Sequence, residues 1–362
     1  PAQKRERIAQ ASRELDQVAA SLSCTLLEPI AEMLGQKQLL VVADGILNYI
    51  PFGALPEPVA GNRLSVVGKS VQMNRPPATD HPQPLLVKHE IINLPSATVL
   101  AELRREGGSR QTPTKDLAIV ADPVFSRFDD RLNFSQNNSP NETITNALTQ
   151  PLATILDSVM RSPTERDARD LSRLPYSRRE AIKIAALAPE NRRLLALDFQ
   201  ANRSLVTDGL LSPYRYVHFA THGLLNSQSP ELSGLVLSLV NDKGKSQLGV
   251  LRLGDIYKLN LSAELVVLSA CRTGLGKEVR GEGVIGLARG FMHAGVPRII
   301  ASLWSVDDAV TSELMTRFYR ELMSGKQTPA AALRSAQLSL RKGKQWQSPY
   351  YWAAFTLQGE PK

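Results

Sequence analysis

The stretch that decides the fold is LVVLSACRTG, residues 265–274, an apolar run that ends at a cysteine. A second strand is predicted at YRYVHFA (214–220), and Thr221, His222 and Gly223 follow it. Uninterrupted apolar runs of this kind are typical of strands that are covered on both faces in a parallel sheet. Segments with helical periodicity separate such runs along the chain, and this alternation predicts an α/β fold with a mostly parallel central sheet flanked by helices.

The same periodicities predict the other elements and the domain organisation. Residues 1–36 are predicted to be an N-terminal helical segment that kinks at Pro29 and stops at Gly35, and residues 37–362 a single domain. The polar stretch 126–173 is expected to be a mobile insertion with a short helix near 152–160. Further strands are predicted at 39–43 (covered on both faces), 117–121, 193–197, 298–303 and 352–357. Further helices are predicted at 177–187, 283–293, 311–323 and 329–341.

Composition narrows the class of protein. The 362 residues carry 43 Lys and Arg against 35 Asp and Glu, so the net charge is 43 − 35 = +8. These charges are scattered along the chain, which does not support a nucleic-acid partner. Two cysteines 247 positions apart favour a reducing compartment. The lack of a signal peptide and of an apolar run of ~20 residues predicts a cytoplasmic protein without a membrane span. The absence of an initial Met suggests a processed or excised piece.

Cys271 and His222 are the residues that carry chemistry. Ligands of open α/β sheets sit beyond the carboxyl ends of the strands, which is where both residues are predicted. A thiol becomes a strong nucleophile when an imidazole takes its proton, so we predict Cys271 as nucleophile and His222 as base. Backbone N–H groups of Gly223 and Cys271 are predicted to form an oxyanion hole. The alternatives are a buried cysteine that acts as a small hydrophobe and a core histidine.

The remaining His and Cys residues have simpler interpretations. His218 lies inside the predicted strand and is expected to pack there rather than to act as the base. Cys24 is on the apolar face of a helix and is interpreted as structural. His293 lies in a helix and has no predicted partner.

Cys271 and His222 form the predicted catalytic dyad, and the residues around this dyad resemble a known family. The sequence Ser-Ala-Cys271-Arg-Thr-Gly is similar to the caspase motif, whose histidine lies about 50 residues upstream, and here 271 − 222 = 49. Several ordered segments resemble the CHAT family, which comprises caspase-like domains related to separase and commonly attached to tetratricopeptide arrays. The resemblance spans roughly residues 37–360 and departs from the family mainly in 126–173. Its segments are DGILNYIPFGAL (44–55), YVHFATHG (216–223), LVVLSACRTG (265–274), GEGVIGLARGFMHAGVPRIIASLW (281–304) and YYWAAFTLQG (350–359).

The resemblance implies a function. It implies a cysteine endopeptidase that cleaves a protein substrate through a thioester, uses no metal and no cofactor, and is regulated by a partner or by a fused tetratricopeptide array.

Three carboxylates are candidates for substrate selection. Asp307 and Asp308 follow the predicted strand 298–303, where either one could cap the next helix. The segment Leu-Trp-Ser-Val-Asp-Asp also resembles a separase segment whose acidic residue lines a pocket for arginine. We expect Asp308 to line such a pocket and to select Arg or Lys before the cut, with Asp307 as the cap. Glu231 is a weaker candidate.

Two functions of other classes remain open. The protein could be a non-catalytic scaffold with a caspase fold, although a scaffold would not need to retain both dyad residues. The glycines at 281, 283 and 286 match Gly-x-Gly-x-x-Gly, but ten residues separate them from the preceding strand, and a dinucleotide site needs them directly after it. Close packing of a helix on the sheet explains these glycines better.

Overall fold

The computed structural model describes residues 2–58, 64–67, 70–73, 83–108, 110–132, 171–224, 230–269, 271–273, 283–343 and 345–361. For 2–13, 64–67, 70–73, 106, 230, 271–273 and 283–285 it describes the backbone alone. The strands are β1 Leu39–Val41, β2 Leu64–Val67, β3 Ser70–Met73, β4 Ile91–Asn93, β5 Lys115–Pro123, β6 Arg193–Asp198, β7 Tyr214–Ala220, β8 His222–Leu224, β9 Gly234–Val236, β10 Val250–Arg252, β11 Leu265–Leu268, β12 Cys271–Thr273, β13 Arg298–Ser302 and β14 Phe355–Gly359. The α-helices are α1 Ala2–Leu27, α2 Ala31–Leu34, α3 Ala97–Gly107, α4 Pro175–Ala185, α5 Arg203–Thr207, α6 Leu253–Ile256, α7 Gly283–His293, α8 Asp308–Met323, α9 Pro329–Arg341 and α10 Pro349–Trp352.

The central sheet contains eight of the described strands, in the order β1-β4-β14-β13-β11-β7-β5-β6. Every neighbouring pair is parallel except β13 and β14, which are antiparallel. The five strands from β13 to β6 therefore run in one direction, and their carboxyl ends meet at the same edge of the sheet. The predicted α/β fold with a mostly parallel central sheet is confirmed.

Helices cover both faces of this sheet because the side chains of each strand alternate between two apolar layers. Tyr216 and Ala220 of β7 join a core with side chains from α4, α8 and α9. Val217 and Phe219 point the other way, into a core with α5, α6 and α7. The sheet is thus buried on both faces at β7, which explains why apolar residues of 214–220 point to both faces.

The strand predicted at 39–43 behaves differently. Its pairing is parallel, as predicted, but its partner β4 was not predicted, and the strand lies at the edge of the central sheet. Leu40 is 42% exposed and Val42 is 55% exposed, so the prediction that both faces are covered is wrong. An apolar run of five residues is equally consistent with an edge strand, and its sequence does not distinguish the two positions.

The N-terminal helix ends as its sequence predicts. α1 stops at Leu27, a short 3₁₀ turn with Pro29 follows, and α2 ends before Gly35, whose φ is +53°. The second half of α1 packs through Leu22 and Leu26 onto a small cluster of its own that includes Phe52. The boundary between residues 36 and 37 stays a prediction.

The predicted insertion 126–173 is described only at its two ends. Residues 126–132 and 171–173 are held by contacts with the sheet, as described below. The predicted helix near 152–160 and the rest of the insertion lie outside the described residues.

Candidate active site

The dyad residues lie on a second, smaller sheet at the carboxyl edge of the central one. Its order is β10-β9-β8-β12, and β8 pairs in parallel with β12. In this pairing Cys271 is the direct partner of His222. In the central sheet Leu268 of β11 is the partner of Phe219 of β7, and 268 − 219 equals 271 − 222. The two strands therefore keep one register as they pass from the large sheet into the small one, and the backbones of His222 and Cys271 lie about 4.8 Å apart.

The imidazole of His222 is held in one orientation. The side chain is 4% exposed, and its Nε2 lies 2.7 Å from the carbonyl oxygen of Ser172. A carbonyl can only accept, so Nε2 carries the hydrogen and donates it, and in the neutral ring Nδ1 then carries the lone pair. Within the described part of the chain, Nδ1 is buried and has no hydrogen-bond partner. The ring also rests against Phe125, with 5.1 Å between the ring centroids.

Burial controls the protonation of His222. Desolvation lowers the pKa of the imidazole below its usual 6.5, and the hydrogen bond to the Ser172 carbonyl opposes part of this effect. A lowered pKa leaves the ring neutral at pH 7. His222 therefore presents an unprotonated nitrogen that is able to accept a proton.

Gly223 and Glu231 differ in their surroundings. Gly223 is buried in β8 between Arg272 of β12 and Leu235 of β9. Glu231 is exposed on a 3₁₀ turn that spans Pro230–Leu232. The oxyanion role of Gly223 and the substrate-binding role of Glu231 stay predictions.

Asp307 and Asp308 each bind the start of a different helix. The Asp307 carboxylate accepts from the N–H groups of Ala309 at 3.0 Å and Val310 at 3.2 Å, so it caps its own helix, α8. The Asp308 carboxylate accepts from the N–H of Tyr176 at 2.9 Å, in the first turn of α4. A capping role is thus present for both residues, and the pocket role of Asp308 stays a prediction.

The pKa of Asp308 is raised to about 6. Desolvation is the main cause, and the nearby charges of Glu180, Asp307 and Asp122 add to it, while the Tyr176 N–H opposes it. Burial and the neighbouring negative charges therefore both disfavour the ionised form of the Asp308 carboxyl.

Sequence reasoning missed a cluster of three arginines and three aspartates beside the dyad, which we call the Asp122 cluster. Asp122, at the end of β5, is 1% exposed. The cluster comprises Arg131, Arg173, Arg178, Asp122, Asp129 and Asp198. A weak signal was present in the sequence, since Asp122 and Asp198 each follow an apolar strand. Both have a positive φ, +46° and +53°, a conformation that Asp tolerates better than most residues.

His218, His293 and Cys24 have structural surroundings. His218 is fully buried, and its Nε2 lies 2.8 Å from Glu180 of α4, on the α4 and α8 side of the sheet. His293 packs edge-on against Tyr257, with ring centroids 5.2 Å apart, a partner that the sequence did not indicate. Burial raises the pKa of the Cys24 thiol.

Within the described ranges, no group of three or more His, Cys, Asp or Glu side chains could hold a metal ion. A search of the same ranges finds no helix long and apolar enough to cross a membrane. Gly281 lies outside the described residues. Gly286 and Gly290 lie in α7. At Gly290 the helix α7 approaches α6 closely, since a Cβ there would lie 2.7 Å from Leu253 Cδ1.

A comparison with known protein families matches the CHAT domain over residues 16–360 of this chain. The chain belongs to the CHAT domain family. The CHAT match covers both β8, with His222, and β12, with Cys271, and it also includes the second half of α1. The resemblance inferred from the sequence is confirmed.

Individual relatives match smaller parts. Tetratricopeptide repeat protein 28 of Mus musculus and that of Homo sapiens are each 34% identical to this chain over 110 residues, 30% of the chain. The match covers 4% of the length of each relative. Among solved structures, the Arg-specific cysteine proteinase gingipain R has a TM-score of 0.40 at 11% identity, over 75% of this chain and 54% of its own. The Saccharomyces cerevisiae separase–securin complex has a TM-score of 0.37 at 12% identity, over 75% and 14%.

Proposed function

We propose that this CHAT domain is a cysteine endopeptidase in which Cys271 is the nucleophile and His222 the base. The observation that carries the proposal is the pairing of His222 with Cys271 on adjacent parallel strands, together with the buried Nδ1 of His222, which has no partner among the described residues. Register partners on parallel strands present their side chains to the same face of a sheet. The thiol of Cys271 would then be the natural partner of Nδ1.

The reaction follows from the protonation state of His222. Nδ1 takes the proton of the Cys271 thiol, and the thiolate attacks the carbonyl carbon of the scissile peptide, forming a C–S bond. The C–N bond then breaks, and the imidazolium gives its proton to the leaving amine. Water, deprotonated by the same nitrogen, hydrolyses the thioester and regenerates the thiol. We propose backbone N–H groups of Cys271 and Gly223 as donors to the oxyanion.

We further propose that Asp308 selects a basic side chain before the cut. The support is the raised pKa of Asp308, which reflects burial first and the neighbouring charges of Glu180, Asp307 and Asp122 second. A half-buried carboxylate in such surroundings gains most from a guanidinium or ammonium group. Asp307 is then the helix cap and Glu231 a weaker contact.

Regulation through a helical repeat array is part of the proposal. The two curated relatives are named as tetratricopeptide repeat proteins, and the match is a small fraction of their length. We propose that an array of this kind, fused or bound, controls access to the site. The two widely separated cysteines support a reducing compartment and so a cytoplasmic location.

Alkylation of the two cysteines tests the dyad without knowledge of the substrate. The chain contains only Cys24 and Cys271, so peptide mass spectrometry after iodoacetamide treatment reports both in one experiment. We expect Cys271 to react much faster than Cys24 at pH 7, since an imidazole assists only the former and burial raises the pKa of the latter. His222→Ala should slow Cys271 alone. Equal rates that His222→Ala does not change would favour the non-catalytic scaffold.

Peptide cleavage is the second measurement. Cys271→Ala and His222→Ala should each reduce turnover to background while circular dichroism and melting temperature remain close to wild type, because the two groups act as one unit. Cys24→Ala is the matched control and should retain full turnover. Robust cleavage by folded Cys271→Ala would remove the assignment.

A further inference from the structure

The hydrogen bond that His222 donates is accepted by a backbone carbonyl, not by a side chain. The carbonyl belongs to Ser172, in the short segment 171–174 that precedes α4, which we call the return segment. A carbonyl oxygen holds an imidazole only as firmly as its own segment is held. The precision of His222 therefore depends on what fixes the return segment.

The return segment is fixed at each of its residues. Leu171 packs on a small apolar cluster that includes Leu224 of β8 itself. The Ser172 carbonyl accepts from His222 Nε2. The Leu174 carbonyl accepts from the hydroxyl of Ser177 at 2.7 Å, at the start of α4.

Arg173 forms the strongest of these attachments. Its guanidinium donates to both oxygens of Asp122, from Nε at 2.9 Å and from Nη2 at 2.7 Å. Such a two-pronged pair fixes direction as well as distance. Asp122 is 1% exposed at the end of β5, so its position is set by the central sheet. The nitrogen of Arg173 is bonded directly to the carbonyl carbon of Ser172, and a fixed Arg173 therefore leaves that carbonyl little freedom.

Two other arginines already balance the negative charge of Asp122, so charge neutralisation alone does not explain the presence of Arg173. Arg178 donates to the same carboxylate at 2.6 Å, and Arg131 Nη1 lies 3.2 Å from it. These two arginines also bind Asp198, so they join β5 to β6. Arg173 joins β5 to the return segment instead.

We propose that Arg173 is a positioning residue, which through Asp122 and the Ser172 carbonyl keeps His222 in the tautomer that has its lone pair on Nδ1. This inference deepens the proposed function and rests on it. The reaction needs a neutral nitrogen directed at the thiol, and the alternative tautomer would direct an N–H group there instead. As a consequence, Asp122 at the end of β5, in the central sheet, determines the tautomer of His222.

Long-range ¹H–¹⁵N spectra of the histidine rings test the tautomer directly. The protein has five histidines, and loss of one set of signals in His222→Gln identifies those of His222. All spectra are recorded in a Cys271→Ala background above the pKa of the ring, so the measurement does not require turnover. We expect the Nε2–H tautomer to predominate in the parent and both tautomers to appear in Arg173→Ala. Arg178→Ala removes a partner of the same carboxylate from outside the return segment, and it should keep the parent signals.

Kinetics supply the second readout, with Cys271 intact. Arg173→Ala should lower kcat about 10- to 100-fold, since small misplacements of a catalytic group have effects of this size, and leave KM within a factor of about two. Arg173→Lys retains the charge but not the two-pronged geometry, so its kcat should lie between those of the wild type and Arg173→Ala. It also serves if Arg173→Ala fails to fold. Parent-like His222 signals in folded Arg173→Ala, or in Arg173→Lys if only that variant folds, would overturn the inference. If the wild type shows no turnover but Arg173→Ala still shows the expected change of tautomer, the protease proposal is contradicted and the positioning role remains intact.

Discussion

Asp308→Asn is expected to stabilise the protein at neutral pH and, at the same time, to weaken cleavage after arginine. The Asp308 carboxyl has a pKa of about 6 in the fold, against an ordinary 3.8. Between these two values the unfolded chain has already lost the proton that the folded chain still holds, so the stability of the wild type falls as pH rises from about 4 to about 6. Above this range the full cost of the charge is present. Asn carries no charge and avoids the cost, while its oxygen can still accept from the Tyr176 N–H.

The size of the effect follows from the shift. A rise from 3.8 to about 6 corresponds to about 3 kcal/mol at about 1.4 kcal/mol per unit. Asp308 is only half-buried, and solvent screening reduces the figure to about 1–1.5 kcal/mol. For a chain of this length that is a rise in Tm of roughly 1–2 °C. Catalysis should change in the opposite direction, since an arginine in the pocket loses its counter-charge, and kcat/KM for an Arg substrate should fall by a factor of roughly 10–100.

Melting curves of Asp308→Asn and wild type at pH 4 and at pH 7.5, with kinetics on paired Arg and neutral substrates, measure both effects. The stability difference should be near zero at pH 4 and largest at pH 7.5. Asp307→Asn is the matched control, because Asn is also a good helix cap, and it should change neither quantity appreciably. A variant less stable than wild type at pH 7.5, or a difference independent of pH, would refute the electrostatic reasoning. Unchanged Arg-substrate kinetics would remove the pocket role.

Two further predictions concern buried histidines. In Cys271→Ala, His222 should titrate below pH 6.5 by NMR because burial lowers its pKa. Adding Phe125→Ala, which admits water to the ring, should move that pKa upward. A His222 pKa above 7 in Cys271→Ala alone would contradict this. His218→Ala leaves Glu180 buried without its partner and should cost about 3–5 kcal/mol in urea unfolding, whereas His218→Leu combined with Glu180→Leu should recover most of the loss, and equal losses in both would refute a role for the pair.

The sequence predicted the elements near the site well, because their apolar runs are long and bounded by strong signals. β7, α7 and α9 have the predicted bounds 214–220, 283–293 and 329–341. β4, at Ile91–Asn93, was missed, since three residues give too short a pattern to identify.

The contacts that orient the site could not be predicted from local pattern. The hydrogen bond from His222 to Ser172 joins residues 50 positions apart, and the Arg173 pair with Asp122 spans 51. Neither Ser172 nor Arg173 belongs to a motif. For Ser172 the reason is that the contact is made by the backbone carbonyl, which does not depend on the identity of the side chain. The whole predicted insertion 126–173 looked polar and loose, yet Ser172, near its end, accepts the hydrogen bond of His222.

The unbroken register of β7 with β11 and of β8 with β12 changes how divergent members of the family could be recognised. Between Leu224 and Leu265 the chain leaves the dyad strands and returns, and such an excursion can gain or lose residues at little cost. The two short bridges, Ala220 to His222 and Leu268 to Cys271, have no such latitude. One residue more or less in either bridge would turn the following side chains to the opposite face. An alignment that scores the length of each bridge, and lets the 49-residue interval vary, would therefore retain true relatives that a fixed spacing between histidine and cysteine discards.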